Sequence, residues 1–141
     1  MSSFKISLKP NERIYINGAV IRVDRRTSLE FLNDVQFLLD SHVLQAEDAN
    51  TPLKRLYFTI QIQLMTPNDA ADAKHMFNSQ LGLLLQTFED PHILTQLKEI
   101  DRMTKEGRCF EALKTLRGLF AAERRIFEAM PTSFPFELAT A

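Results

Sequence analysis

The dipeptide Asn17-Gly18 constrains the fold of this chain more than any other feature of the sequence. It separates two short apolar runs, RIYI and AVIRVD. A type I′ turn needs positive φ at both central residues, and Asn-Gly is the pair that tolerates this best. The stretch therefore predicts an antiparallel hairpin. The preceding FKISL alternates apolar and polar residues, which is typical of a further strand.

The next segment favours a second hairpin. SLEFL and VQFLL flank Asn33-Asp34, a pair of residue types common in turns. The alternation within SLEFL favours a strand, although Ser28 could instead cap a helix that runs to about Leu39. We interpret residues 4–45 as one small antiparallel β unit.

The periodicity changes from strand-like to helix-like after the polar linker QAEDAN at residues 45–50. Thr51-Pro52 and Asp90-Pro91 each combine an N-cap residue with proline at the first helical position. FTIQIQL, inside the first of these segments, also alternates as a strand would. The cap and the length of the segment favour helix.

About four helices are predicted, and their expected starts are Thr51, Asn68 or Asp69, Asp90, and about Cys109. Gly107 is a natural stop for the third helix, because a residue with positive φ commonly follows a helix. The last helix is expected to continue to Pro131. The sequence thus predicts an α+β fold, with a helical region at 51–130 packed on the β unit and a flexible tail at 131–141.

The net charge of −1 argues against long-range attraction of the whole molecule to nucleic acid, but the charge is unevenly distributed. Residues 1–28 have six Lys and Arg side chains against two carboxylates, a net charge of +4. Residues 29–50 have five carboxylates and no Lys or Arg. The first strands are therefore expected to be basic in a nearly neutral protein.

The sequence predicts a cytoplasmic protein without a catalytic site, metal or cofactor. Cys109 is the only cysteine, which excludes an intramolecular disulfide and a cysteine zinc cluster. The three histidines, His42, His75 and His92, have no ligand spacing, and the four glycines are isolated rather than grouped in a phosphate-binding loop. The N-terminus has no apolar signal-peptide region, and no apolar run reaches the roughly 20 residues of a membrane span.

Basic residues gather around the first predicted hairpin. Lys9 and Arg13 flank the turn before it, and Arg22, Arg25 and Arg26 follow its second strand. Phosphate groups attract such clusters, and Arg adds forked donors and planar stacking. The alternative is that charges on strand edges only prevent aggregation. Residue chemistry alone does not separate the two.

Tyr15 is the aromatic residue that we expect to face outward and to offer a stacking surface to an exposed base. The predicted RNA-contact residues are Lys9, Arg13, Tyr15, Arg22, Arg25 and Arg26.

LKPNERIYINGAVIRVDRR, continuing through LEFLNDVQFLLDSHVLQAEDANTPLKRLYF and EGRCFEALKTLRGLF, resembles the FlbT family, small bacterial regulators of flagellin synthesis. The resemblance covers residues 4 to about 127. It implies binding to the 5′ untranslated region of flagellin mRNA and promotion of its decay. Some members of the family instead support flagellin production, so the sign of the regulation stays open.

The opening stretch, with IYINGAVIRV, also resembles the hairpins of the CsrA/RsmA translational repressors. Those are strand-exchanged β dimers that clamp an RNA loop. No residue is transferred from that family, because the arginine that follows its last core strand has no clear counterpart here. The helical region has no counterpart in it either.

Two functions remain open at this point. The first is a post-transcriptional repressor of flagellum biogenesis that binds mRNA. The second is a protein-interaction module that binds flagellin, a flagellar regulator or a secretion partner through a helical groove, and self-association into a homo-oligomer is expected with either.

Overall fold

The computed structural model describes residues 4–33 and 35–130, in which antiparallel strands precede helices. The strands are β1 (Phe4–Leu8), β2 (Arg13–Ile16), β3 (Ala19–Arg22), β4 (Thr27–Phe31) and β5 (Phe37–Leu39). The α-helices are α1 (Pro52–Met65), α2 (Ala70–Thr87), α3 (Pro91–Lys105), α4 (Cys109–Arg117) and α5 (Phe120–Ala129). The predicted α+β class is confirmed.

The first predicted hairpin is present as β2 and β3. Asn17 and Gly18 have φ values of +49° and +88°, as a type I′ turn requires. The turn also lies against the connection between α1 and α2, since a Cβ on Gly18 would be 3.2 Å from Cδ of Pro67. The backbone angle therefore favours glycine at position 18, and a Cβ there would also be in tight contact with Pro67.

The second predicted hairpin is wrong, because β4 and β5 do not pair with one another. β4 pairs with β1 in a two-stranded sheet, and β5 pairs with β2 in a sheet of order β3-β2-β5. The burial patterns explain this division. The side chains of β4 alternate between half-buried and exposed, whereas Phe37 and Leu38, which point to opposite faces of β5, are both buried.

The strands and helices form three layers, with β2 and β5 in the middle one. On one side, Ile14 and Phe37 pack with Leu8 of the β1–β4 sheet. On the other side, Tyr15 and Leu38 belong to the core that the helices form. This two-sided burial follows from the alternation of side chains along a strand.

The helix starts predicted from caps are confirmed. The Thr51 hydroxyl accepts a hydrogen bond from the Lys54 N–H at 3.2 Å, and the Asp90 carboxylate accepts from the N–H groups of His92 and Ile93. Gly107 follows α3 with φ +78°. α2 begins slightly later than predicted, because residues 67–69 form a 3-10 turn.

The last predicted helix is wrong in one respect, since it is divided into α4 and α5. Gly118 and Leu119 lie between them, and Leu119 is buried in the helical core. Glycine is a poor helix former, and a change of direction here lets α5 pack on α1. The predicted tail at 131–141 lies outside the described residues. In the described part of the chain, no helix combines the length and apolar character needed to cross a bilayer.

Candidate functional site

The candidate site is the basic rim, which we define as Lys9, Arg13, Arg22, Arg25 and Arg26. It lies at the end of the β2–β3 hairpin that is remote from the Asn17-Gly18 turn. Arg13 and Arg22 are direct cross-strand partners. Arg25 and Arg26 follow in the connection to β4.

Backbone hydrogen bonds extend the hairpin beyond its assigned strands and fix the rim. The Asn11 N–H donates to the Val23 carbonyl at 2.7 Å, and the Val23 N–H donates to the Glu12 carbonyl at 3.3 Å. The Lys9 N–H donates to Oε1 of Glu12 at 2.9 Å, and Asn11 has φ +67°. The turn at 9–12 therefore holds Lys9 beside the hairpin end.

The rim arginines are exposed to solvent, and the salt bridges that they form are weak. Arg13 pairs with Asp40 at 3.4 Å, and Arg25 pairs with its neighbour Asp24 at 3.3 Å. More than four-fifths of the Arg25 and Asp24 side chains are exposed. Exposed pairs of this kind contribute about 0–1 kcal/mol, so the guanidinium groups can exchange their carboxylates for phosphates.

The expectation for Tyr15 is wrong. Its exposed fraction is 9%, and it packs in the helical core together with Leu38. Because Ile14 faces the β1–β4 sheet and Tyr15 faces the helices, neither face of β2 is open. The other five predicted residues are exposed, and they lie on or next to the same hairpin end.

A pocket of about 480 Å³ between α1 and α5 was not predicted from the sequence. Lys54 and Arg55 line it from α1, and Phe120, Arg124 and Phe127 line it from α5. Nζ of Lys54 lies 5.9 Å from the centroid of the Phe120 ring. The sequence signal for this pocket is the spacing of Phe120 and Phe127, which lie four residues before and three residues after Arg124 on one helix.

A buried carboxylate lies at one wall of this pocket and joins α5 to α1. Glu123 accepts a hydrogen bond from the Thr51 hydroxyl at 2.6 Å and one from the Leu53 N–H at 2.8 Å, so it caps the start of α1. Burial raises the pKa of Glu123, while these hydrogen bonds and the nearby Lys54 and Arg55 act in the opposite direction.

Cys109 and His42 lie in partly buried surroundings that do not activate them for chemistry. Burial raises the pKa of the Cys109 thiol, which makes it a weaker nucleophile at neutral pH. Burial and the neighbouring Arg117 lower the pKa of His42. Within the described ranges, no three His, Cys, Asp or Glu residues are grouped so that they could hold a metal ion.

Comparison with known proteins gives one family and several relatives. The family model "Flagellar protein FlbT" matches residues 4–127. A Mesorhizobium japonicum protein described as "Probable flagellum biosynthesis repressor protein FlbT" is 57% identical over 124 residues, which cover 88% of this chain and 84% of that protein.

Two further proteins with the same description are similar to this chain. The one from Chelativorans sp. is 53% identical over 91% of this chain and 88% of its own length. The one from Allorhizobium ampelinum is 54% identical over 89% of this chain and 84% of its own length. No solved structure matches the chain.

Proposed function

The chain belongs to the FlbT family of flagellar proteins, and from this membership we propose that it represses flagellum biosynthesis by binding the 5′ untranslated region of flagellin mRNA. The relatives are named as repressors of flagellum biosynthesis. The proposed activity is binding in the cytoplasm, without a chemical step of its own. Bound protein would block ribosomes or recruit a nuclease.

The observation that carries the RNA-binding part is the cross-strand pairing of Arg13 with Arg22 at the exposed hairpin end. Like charges directly opposite one another destabilise a hairpin. Among the described residues, Arg13 forms a salt bridge with Asp40, whereas Arg22 forms none. An anionic ligand that bridges both guanidinium groups would relieve this repulsion, and a phosphate backbone is such a ligand.

The experiment replaces Arg22, Arg25 and Arg26 together by Ala and measures the affinity for labelled flagellin 5′ untranslated RNA by fluorescence anisotropy. Each phosphate contact contributes roughly −0.7 to the log–log salt slope for a single strand, so the slope should fall in magnitude by roughly two. Phosphate contacts have no sequence preference, and affinity for unrelated RNAs should fall alike. Folding should be retained, because exposed substitutions seldom exceed about 0.5 kcal/mol.

The matched control replaces three exposed lysines of the helices, Lys74, Lys98 and Lys114, by Ala. It removes the same charge from a different surface and should leave the affinity nearly unchanged. Equal decreases in both triple variants would mean that net charge alone attracts RNA. RNA binding that survives the replacement of Arg22, Arg25 and Arg26 would contradict the assignment of the site.

A second function, binding of a flagellar protein, is favoured by the outer face of α2. Met76 and Leu83 lie seven residues apart, on one face of the helix, and are 48% and 63% exposed. Exposed apolar residues in a row can seat a partner helix or a second copy of the chain. Leu83→Lys should abolish such an association in sedimentation experiments, while RNA binding stays unchanged.

A further inference from the structure

A second cavity lies where the turn of the β2–β3 hairpin meets the helices, at the end of the hairpin that is remote from the basic rim. We call it the junction cavity. Asn17 lines it from the turn, Gln36 from the segment before β5, and Gln63 from α1. Lys74 of α2 and Lys105, the last residue of α3, line its other side. Its volume of about 490 Å³ is within the range of small-molecule sites, which is about 300–1,000 Å³.

The inner end of the junction cavity contains a buried amide without a hydrogen-bond partner. Gln63 is 7% exposed, and its Nε2 has no acceptor among the described residues. A buried donor that is left unpaired is destabilising, and such groups are rare in native proteins. The last torsion of a glutamine side chain has a broad energy minimum, so a small rotation turns Nε2 towards an acceptor in the cavity. A ligand oxygen would satisfy this donor.

The mouth of the junction cavity is positively charged. Lys74 and Lys105 are both exposed, and no Asp or Glu is found among the described residues that line the cavity. Within the described ranges Lys74 forms no salt bridge, whereas Lys105 pairs with Asp101 on the surface of α3. Exposed pairs are weak, so an anionic ligand can compete for Lys105.

The ammonium group of Lys74 lies on the side of the cavity that Cys109 lines. Burial raises the pKa of the Cys109 thiol, and the charge of Lys74 acts in the opposite direction. Donors also exceed acceptors here, because Oε1 of Gln36 already accepts a hydrogen bond from the Phe110 N–H at 3.0 Å. The cavity therefore suits a ligand that is anionic and rich in acceptor oxygens.

We propose that the junction cavity binds a small organic phosphate, with the phosphate at Lys74 and Lys105 and the polar body of the ligand at the amides of Gln63 and Gln36. The site is separate from the basic rim, and the proposal does not depend on RNA binding by the chain. It adds a small-molecule site to the hairpin that bears the rim.

The cations at the mouth favour a phosphate over a carboxylate. The forked donors of arginine match a planar carboxylate, but no arginine is among the described residues that line the cavity. Lysine acts as a point charge and is a common phosphate ligand. The buried position of Gln63 favours a free phosphate monoester over an RNA strand, since every internal phosphate of RNA has nucleotides on both sides.

Cys109 provides a direct test, because it lines the cavity and is the only cysteine of the chain. Ribose 5-phosphate is the probe, and its dissociation constant is measured by calorimetry. At about ten times that constant, alkylation of Cys109 in the full chain should slow roughly tenfold. Inorganic phosphate should bind about fivefold more weakly, since it does not reach the amides. Ribose without phosphate should give no protection.

Two glutamines of α1 form a matched pair of variants. Gln63→Leu should reduce the affinity for ribose 5-phosphate about fivefold without lowering thermal stability, because the donor that it removes is unpaired. Gln61 is also buried, but its amide forms hydrogen bonds of 2.7 and 2.8 Å with the backbone of Leu44. Gln61→Leu should therefore lower the melting temperature and leave the ligand affinity of the folded protein unchanged.

A charge variant tests the mouth of the cavity. Lys74→Gln should reduce the affinity for ribose 5-phosphate at least about fivefold, because it removes a charged donor. Lys98→Gln on the exposed surface of α3 is the control and should have no effect. Protection of Cys109 is compared with and without ligand within each variant, since Lys74 itself influences the thiol.

Four outcomes would overturn the proposal. Absence of protection by both ribose 5-phosphate and inorganic phosphate would mean that only water fills the cavity. Binding that survives Gln63→Leu and Lys74→Gln but is lost when Arg22, Arg25 and Arg26 are replaced would place the phosphate at the basic rim. Equal protection by succinate would make the site a general anion site. Equal protection by the flagellin 5′ untranslated RNA would make the cavity part of an RNA surface. Failure of RNA binding alone would leave the measured ligand affinity, and the proposal, intact.

Discussion

Arg13 lies directly opposite Arg22 on the β2–β3 ladder, so two positive charges share one end of the hairpin. Cross-strand like charges are destabilising, and the carboxylate of Asp40, 3.4 Å from Arg13, offsets part of this cost. The ion pair between Arg13 and Asp40 is half-exposed, so its contribution to folding is small. Asp40 therefore competes with any anionic ligand for Arg13, and this competition can be measured.

Asp40→Asn should increase RNA affinity by a few-fold. The substitution removes a negative charge beside the basic rim and frees Arg13, while the exposed ion pair that it breaks contributes at most about 1 kcal/mol. Fluorescence anisotropy with the flagellin 5′ untranslated RNA at low and high salt measures the effect. The gain should shrink at high salt, because screening weakens interactions between exposed charges.

Asp101→Asn is the control for this prediction, since Asp101 pairs with Lys105 on α3 and its replacement changes the net charge equally. An increase of the same size in both variants would show that total charge, and not Arg13, determines affinity. Unchanged affinity in Asp40→Asn would exclude Arg13 from the RNA contact.

Gly18→Ala should destabilise the protein by about 1–3 kcal/mol. The φ of +88° is unfavourable for alanine, and its Cβ would lie 3.2 Å from Cδ of Pro67, so that contact would have to relax by a few tenths of an ångström. The decrease in stability is read from the urea midpoint at constant m-value.

Gly82→Ala is the opposite case in the same chain. Gly82 lies within α2, and a Cβ there would meet no atom within 4 Å. Replacing glycine by alanine in a helix interior should stabilise by about 0.5–1 kcal/mol. A destabilisation of equal size at both positions would mean that the Gly18 conformation is not the cause.

Local chemistry explains which parts of the fold were predictable from the sequence. The turn at Asn17-Gly18 and the caps at Thr51 and Asp90 depend on residues within four positions of one another, and each lies where the sequence places it. The basic rim was also predictable, because a hairpin in fixed register brings Arg13 and Arg22 together.

The partners of β4 and β5, and the burial of Tyr15, depend on contacts between distant parts of the chain. Strands adjacent in sequence usually pair with one another, but β4 pairs with β1, and β5, which is buried on both faces, pairs with β2. The alternation in RIYI predicts that Tyr15 lies on one face, but it does not reveal that helices cover that face. The α1–α5 pocket was not predictable for the same reason.

Tyr15→Leu tests whether Tyr15 contributes to the core or to RNA binding, because the two roles predict changes in different measurements. Because Tyr15 is buried beside Leu38, the smaller side chain should leave unfilled space and reduce stability by about 1–3 kcal/mol. RNA affinity of the folded protein should not change. Weaker RNA binding with normal stability would restore Tyr15 as a stacking surface and contradict its burial.

Glu123→Gln should change how folding stability depends on pH. Burial raises the pKa of Glu123 in the folded state above its ordinary value of 4.5. The folded protein therefore binds this proton more tightly than the unfolded chain, and the associated stability is present below pH 4.5 and is lost as pH rises through the raised pKa. Glutamine stays neutral, so the stability of the variant relative to wild type should increase with pH across that interval and then become constant.

Urea unfolding of both proteins at a series of pH values between about 4 and 8 gives the difference in stability directly. The comparison with wild type is needed because His42 makes stability depend on pH in the opposite direction. The pKa of His42 is lowered in the folded state, so the stability associated with it is lost as pH falls below about 6.5. Glu99→Gln is a second comparison. Arg102 lowers the pKa of Glu99, so replacing Glu99 should reduce stability only at pH values above that lowered pKa. Parallel pH profiles for wild type and Glu123→Gln would show that Glu123 titrates alike in the folded and unfolded chain.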